Sequence, residues 1–150
     1  MTKHIQIREA TMEDVKDILE LILELARYEE GEDQVTVTLS ELQRDFKAGI
    51  INAKIAEEKE QVIGMALYYM TYSTWKGRMM YLEDFVVKSS HRRLGIGQQL
   101  FDAVVATAKD WDCKMMKLQV LHWNEPAIEF YKKNQAFIDK EWYDCKFYFK

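Results

Sequence analysis

The sequence predicts an α/β chain of the α+β kind: a mixed, mostly antiparallel sheet of about seven strands flanked by helices. Segments of strand-like alternation and of helical period follow one another in the order β-α-α-β-β-β-α-β-α-β-β. Short polar links join the strand runs in the middle of the chain, which makes those runs consecutive antiparallel neighbours. A long helical stretch then separates the last of them from the next strand, so that pair has to lie parallel, as a crossover unit.

Ile5 and Ile7 alternate with polar neighbours over residues 4–8, the pattern of a short strand with one buried face. Thr11 is placed to cap the next helix by accepting from the Asp14 amide, and Glu13 and Asp14 put negative charge where the helix dipole favours it. Val15, Ile18, Leu19, Ile22, Leu25 and Ala26 recur at helical spacing and form one wide inward stripe, with Leu21 and Leu23 off it. The segment 28–34, YEEGEDQ, ends this helix either as a solvated loop or as an acidic lip that attracts amines. Ser40 precedes a shorter helix that turns Leu42 and Phe46 inward and stops near Gly49.

Strand runs follow at 51–57, 62–71 and 79–87, joined by a charged hairpin at 57–61 and by residues 72–78 with Gly77. Beyond a glycine turn, Ile96, Leu100, Phe101, Val104, Val105 and Ala108 mark a helix, and residues 115–121 read as the parallel strand. Asn124 caps another helix, with Pro126 tolerated in its first turn and Ala127, Ile128, Phe130 and Tyr131 on its apolar side. Two last strand candidates, 136–139 and 143–149, close the chain.

Residues 1–150 are expected to form one domain, since a chain of 150 residues can bury a sizeable core and a single proline announces no linker. A formal net charge of -4 disfavours a nucleic-acid partner, which needs a basic surface, and suits a cationic substrate. Cys113 and Cys145 lack CxxC spacing or a paired histidine motif, so free thiols in a reducing compartment are expected and no metal site. No apolar signal core opens the sequence and no run approaches the ~20 apolar residues of a membrane span, so the expectation is a soluble cytoplasmic protein without a membrane partner.

The stretch 81–101, YLEDFVVKSSHRRLGIGQQLF, organises the rest. It reads as strand, turn, glycine pair and helix, and the helix offers amides and a positive dipole end to a pyrophosphate. A Walker loop would need Gly-Lys-Ser or Gly-Lys-Thr where Gly97-Gln98-Gln99 stands, and the dinucleotide fingerprint would need a small residue where Leu100 stands. What remains, Arg92-Arg93-Leu94-Gly95-Ile96-Gly97 between a strand and a helix, resembles the acetyl-CoA site of the GNAT N-acetyltransferase superfamily. YLEDFVV upstream and WNEPAIEFYKKNQAF downstream resemble the diamine (spermidine/spermine) acetyltransferase branch, and the likeness spans most of the chain.

The resemblance implies a GNAT acyl-CoA N-acyltransferase fold, acetyl-CoA as co-substrate, direct attack in a ternary complex and a homodimer. The amides of Arg93, Leu94, Gly95, Ile96, Gly97 and Gln98 would hold the pyrophosphate. The strand around Phe85, Val86 and Val87, together with Asn124, would meet the pantetheine arm. Arg92 would support the turn or meet phosphate. An alkyl amine is largely protonated at neutral pH, so acetyl transfer needs a base, and Glu83 is the candidate, acting directly or through water. Asp84 alternates to the other face of the strand and is not expected to share that role. Tyr131 is the candidate acid for the departing thiolate.

Glu29 and Glu30, with Glu32 and Asp33, could attract the amine, while Tyr72 and Trp75 could pack its methylenes or meet its ammonium. Diamine acetyltransferases tend to carry an acid where Ser73 stands, so a shorter amine or an amino-acid side-chain amine such as thialysine or lysine remains open beside a polyamine or diamine. A non-catalytic acyl-CoA sensor and a plain interaction domain remain open as other classes. Gln135 stands where the family usually has glycine, and Asn134 is expected to take the left-handed cap.

Overall fold

A computed structural model describes residues 4–150. The chain divides between Gln119 and Val120 into two compact units. The first carries one sheet of five strands in the order β1-β2-β3-β4-β5. Its elements are β1 (Ile5–Glu9), α1 (Val15–Tyr28), α2 (Leu39–Lys47), β2 (Asn52–Glu58), β3 (Gln61–Ser73), β4 (Gly77–Val87), α3 (Ile96–Asp110) and β5 (Met115–Lys117). Neighbours from β1 to β4 are antiparallel, and β5 runs parallel to β4, as the crossover through α3 requires.

The two faces of the sheet are covered by different helices. On one, Ile96, Leu100 and Val104 of α3 are buried against Ala66, Tyr68, Met80 and Leu82. On the other, Ile18 and Leu21 of α1 pack on Ile55, Met65, Leu67 and Val86. Each fully buried aliphatic side chain of this kind contributes about 2 kcal/mol. Leu21, expected off the inward stripe, is among the most deeply buried residues. The stripe runs Val15–Ile18–Leu21–Leu25, rotated by about one position from the expected one, which leaves Leu19 half-buried.

Caps differ in detail from the sequence reading. A 3₁₀ turn, Met12–Asp14, precedes α1, and the Asp14 carboxylate accepts the Thr11 amide at 2.7 Å while Arg8 holds it through two nitrogens at 2.8 and 2.9 Å. α2 is capped by Thr38 rather than introduced by Ser40, because Glu41 three residues on closes a reciprocal capping box with it. The β2–β3 hairpin turns through Lys59 and Glu60, both left-handed, in the sense that matches the twist of the strands.

The second unit holds α4 (Glu125–Lys133), with Asn124 as its N-cap and Pro126 in its first turn. The left-handed residue after α4 is Gln135, at φ 72°, not Asn134, whose side-chain amide instead donates to the Phe130 carbonyl at 2.9 Å. The strands expected at 136–139 and 143–149 are not formed among the described residues, so the sheet has five strands and not seven. A strand needs a hydrogen-bonded neighbour as well as an alternating pattern, and here Phe137, Tyr143 and Phe149 are exposed. β5 likewise stops at Lys117, short of the expected Leu121. No described helix is long and apolar enough to cross a membrane, and the described residues contain no cluster suited to a metal ion.

Candidate active site

The ladder between β3 and β4 slips by one residue: Leu67 pairs with Asp84 and Tyr68 with Leu82, so Glu83 is the extra residue of a bulge. The slip decides where two carboxylates go. Asp84 shares the face of Leu67, under α1, and Glu83 reaches the same face, because the Tyr69 hydroxyl donates to its Oε1 at 2.6 Å. The expectation that Asp84 points to the opposite face is therefore overturned, since strand alternation holds only where no bulge intervenes. Tyr81 stacks on Tyr69 at 5.5 Å between ring centroids and completes an aromatic floor.

Glu29, at the C-terminal end of α1, is the third acid of this group. Loss of hydration raises its carboxyl above the ordinary value, and the charge of Glu83 adds to that. The effect is larger at Asp84, which is pushed from 3.8 up to about 7, first by burial and then by the charges of Glu83 and Glu29. Burial, with the hydrogen bond to Glu83, also holds the Tyr69 phenol well above its usual range. A free site in which one carboxyl retains a proton near neutral pH, among like charges, is suited to receive a cation and then to exchange a proton with it.

Beyond the bulge, β4 runs on to Val87 although its pairing with β5 ends at Tyr81 and Lys117, so the two parallel strands part company beside the acids. Phe85 and Val87 lean on the α3 side of the sheet, and Val86 is buried on the other. The turn that follows contains Arg93 at φ 66° and Gly95 at φ 79°, two left-handed residues within three positions. A methyl group on Gly95 would meet nothing within 4 Å, so glycine is needed there for its backbone angle and not for space. The Gln99 amide bonds to the Gly95 carbonyl at 3.2 Å, which leaves the amides of Ile96 and Gly97 ahead of the first helical bond of α3. Together these features fit a ligand with a pyrophosphate: a strand edge leads to a cradle of amides at a helix N-terminus.

Arg92 donates from Nε to the Val87 carbonyl at 3.1 Å, a turn-supporting contact. Exposed Leu94 and exposed Gln98 flank the cradle, and Gln98 also donates to Asp102 at 2.9 Å. Of the acidic segment, Glu32 is engaged by Arg27 at 2.6 Å, whereas Glu30 takes a left-handed turn position on the surface. Tyr72 and Trp75 are 69% and 82% exposed around the β3–β4 turn, where the Ser73 hydroxyl accepts from the amides of Trp75 and Lys76. Asn124 and Tyr131 belong to the second unit: Asn124 Oδ1 accepts from the Ala127 amide at 3.4 Å, and Tyr131 lies edge-on to Phe130. A separate open cleft of about 850 Å3, lined by Ile50, Met70, Arg78 and Trp111 among others, sits at the C-terminal end of α3, the opposite end from the glycine turn.

Comparison with known proteins joins this geometry to a family. The Acetyltransferase (GNAT) family profile matches residues 13–137. A thialysine N-epsilon-acetyltransferase from Bos taurus is 41% identical over 85% of this chain and 81% of its own length. The human spermidine/spermine N(1)-acetyltransferase-like protein 1 is 34% identical over 89% of this chain, which corresponds to 20% of that longer protein. Among solved structures, an aminoglycoside acetyltransferase from an uncultured soil metagenomic sample superposes over the full length of both chains with a TM-score of 0.83 at 16% identity, a likeness of fold.

Proposed function

The chain belongs to the Acetyltransferase (GNAT) family and is an acetyltransferase, and from that premise we propose that it moves the acetyl group of acetyl-CoA to a primary amine of a small aliphatic polyamine or diamine. The observation that carries the acceptor class is the acid group Glu29, Glu83 and Asp84 at the β4 bulge. Three carboxyls around one point favour a cationic acceptor, with Glu30 adding charge at the rim and Tyr72 and Trp75 offering aromatic surface to methylenes or an ammonium.

In this reading the amides of residues 93–98 hold the pyrophosphate, Phe85, Val86 and Val87 lie along the pantetheine arm, and Asn124 bonds that arm. Acetyl-CoA supplies an activated thioester. Asp84 and Glu83 take the proton of the bound ammonium, Asp84 as acceptor and Glu83 as its charged, Tyr69-held neighbour. A base near 7 makes removal of a proton from an amine of ordinary pKa ~10.4 cost about 5 kcal/mol, against about 9 for an unshifted aspartate. The amine nitrogen then forms its bond to the carbonyl carbon and gives up its second proton to water, the carbon–sulfur bond breaks, and the thiolate takes the phenolic proton of Tyr131, whose phenolate is reprotonated from solvent. The products are the N-acetyl amine and the free thiol of CoA.

A second reading, an amino-acid side-chain amine such as thialysine or lysine as acceptor, is favoured by the Bos taurus relative and by Ser73, whose hydroxyl is used within the turn. A homodimer in the cytoplasm belongs to the same proposal, supported by the resemblance to diamine acetyltransferases and tested by light scattering. Thiol release measured across spermidine, putrescine, thialysine, lysine and an aminoglycoside decides among the acceptors. Turnover of the diamine and polyamine is expected. Turnover of thialysine alone would install the second reading, and CoA binding without acetylation of any amine would leave a sensor.

A further inference from the structure

Ser89–His91 forms a 3₁₀ turn between β4 and the glycine cradle. His91 is bonded at both ring nitrogens: Nε2 lies 2.7 Å from Glu58 Oε1, at the end of β2, and Nδ1 lies 2.7 Å from the Ser90 hydroxyl. Both His91 and Glu58 are largely withdrawn from solvent, at 23% and 28% side-chain exposure. A carboxylate only accepts, so Nε2 carries the hydrogen. In the neutral ring Ser90 donates to Nδ1, and in the charged ring it accepts from Nδ1, so both contacts persist in either state.

The segment held this way has little backbone support of its own. The Lys88 amide bonds to the Ile63 carbonyl on entry and the His91 amide to Lys88, and the Gln99 amide then closes on Gly95. Between those points the chain passes through Arg93 and Gly95, both left-handed, with Arg92 tied back to Val87 by its side chain. An array of amides binds an anion well only if its directions are fixed beforehand.

We propose that His91 is a positioning residue for the acyl donor: clamped between Glu58 and Ser90, it fixes the entry to the cradle and so sets affinity for the diphosphate part of CoA, without taking part in acetyl transfer. This rests on the reading of residues 93–98 as the pyrophosphate site. The contacts tie that site to Glu58 at the end of β2.

The test measures binding of CoA and of pantetheine, which lacks the diphosphate, by titration calorimetry on the full chain. His91→Ala and Glu58→Ala are expected to weaken CoA about tenfold and leave pantetheine unchanged, while Glu58→Gln, which keeps an acceptor, restores CoA affinity. Ser90→Ala, a milder change at an exposed residue, should weaken CoA by a smaller factor and serves if the larger truncations unfold the chain. A wild-type chain that binds CoA no better than pantetheine would remove the pyrophosphate reading and this proposal with it. A wild-type preference for CoA that survives all the truncations, or an equal loss of both ligands, would overturn the role of His91 alone.

Discussion

Glu83 accepts the Tyr69 hydroxyl at 2.6 Å, and Asp84 beside it is pushed up to about 7 by burial and by two neighbouring acids. Glu83→Gln keeps the contact to Tyr69 but removes a charge, and should slow turnover chiefly at low pH, where most amine is protonated and a base matters most. Asp84→Asn should lower kcat by about 10²-fold near neutrality, the deficit narrowing as the pH approaches that of the free amine. Equal pH profiles for wild type and both variants would strip the pair of its role. Tyr131→Phe should slow turnover with little change in CoA affinity, and weakened CoA binding at unchanged kcat would contradict the acid assignment. The sequence pointed to Glu83 but misplaced Asp84, because alternation assumes an unbroken period. A signal was present: two adjacent acids inside an apolar run, LEDFVV, fit no regular strand with one dry face and mark a candidate bulge.

At the scale of elements, α3 and its glycine turn were legible because helical period, Gly95 and the missing Walker residues agree with one another. Gly95→Ala tests how far that turn depends on a left-handed angle. Nothing crowds the new methyl group, so the loss should be conformational alone, about 1 kcal/mol of unfolding free energy by urea titration, together with weaker CoA binding. Unchanged stability and affinity would mean that the turn relaxes without glycine. The hairpins were also legible from their short polar links, although Lys59 and Glu60 lack the usual asparagine and glycine. The last two strands were not, because an alternating aromatic run specifies a face but not the neighbour that would hold it.

Across the molecule, two carboxylates push stability in opposite directions with pH. Arg8, through its hydrogen bonds, holds Asp14 below 3.8, so that contribution is complete above the ordinary value and disappears as the pH falls through the lower one. Asp84 is raised, so between 3.8 and about 7 the native chain keeps a proton that the unfolded chain has released, and stability falls as pH rises across that window. Glu29 acts in the same direction as Asp84. Urea unfolding from about pH 4.5 to 7.5 should therefore show Asp84→Asn gaining on wild type as pH rises, by at most about 4 kcal/mol. Curves that stay parallel over that range would refute the placement of Asp84 among like charges. A site that costs stability when its acid ionises is the pattern expected where function, not folding, selects the residue.

Without Glu83, the order Tyr81, Leu82, Asp84, Phe85, Val86, Val87 alternates strictly between the two faces of the sheet. The carboxylate is thus a one-residue insertion in an otherwise regular strand, and its excision leaves every hydrophobic neighbour on its own side. Deletion of Glu83, unlike deletion of Leu82, should yield a folded chain within about 1 kcal/mol of the original, so that the scaffold and the reaction can be taken apart by a single codon.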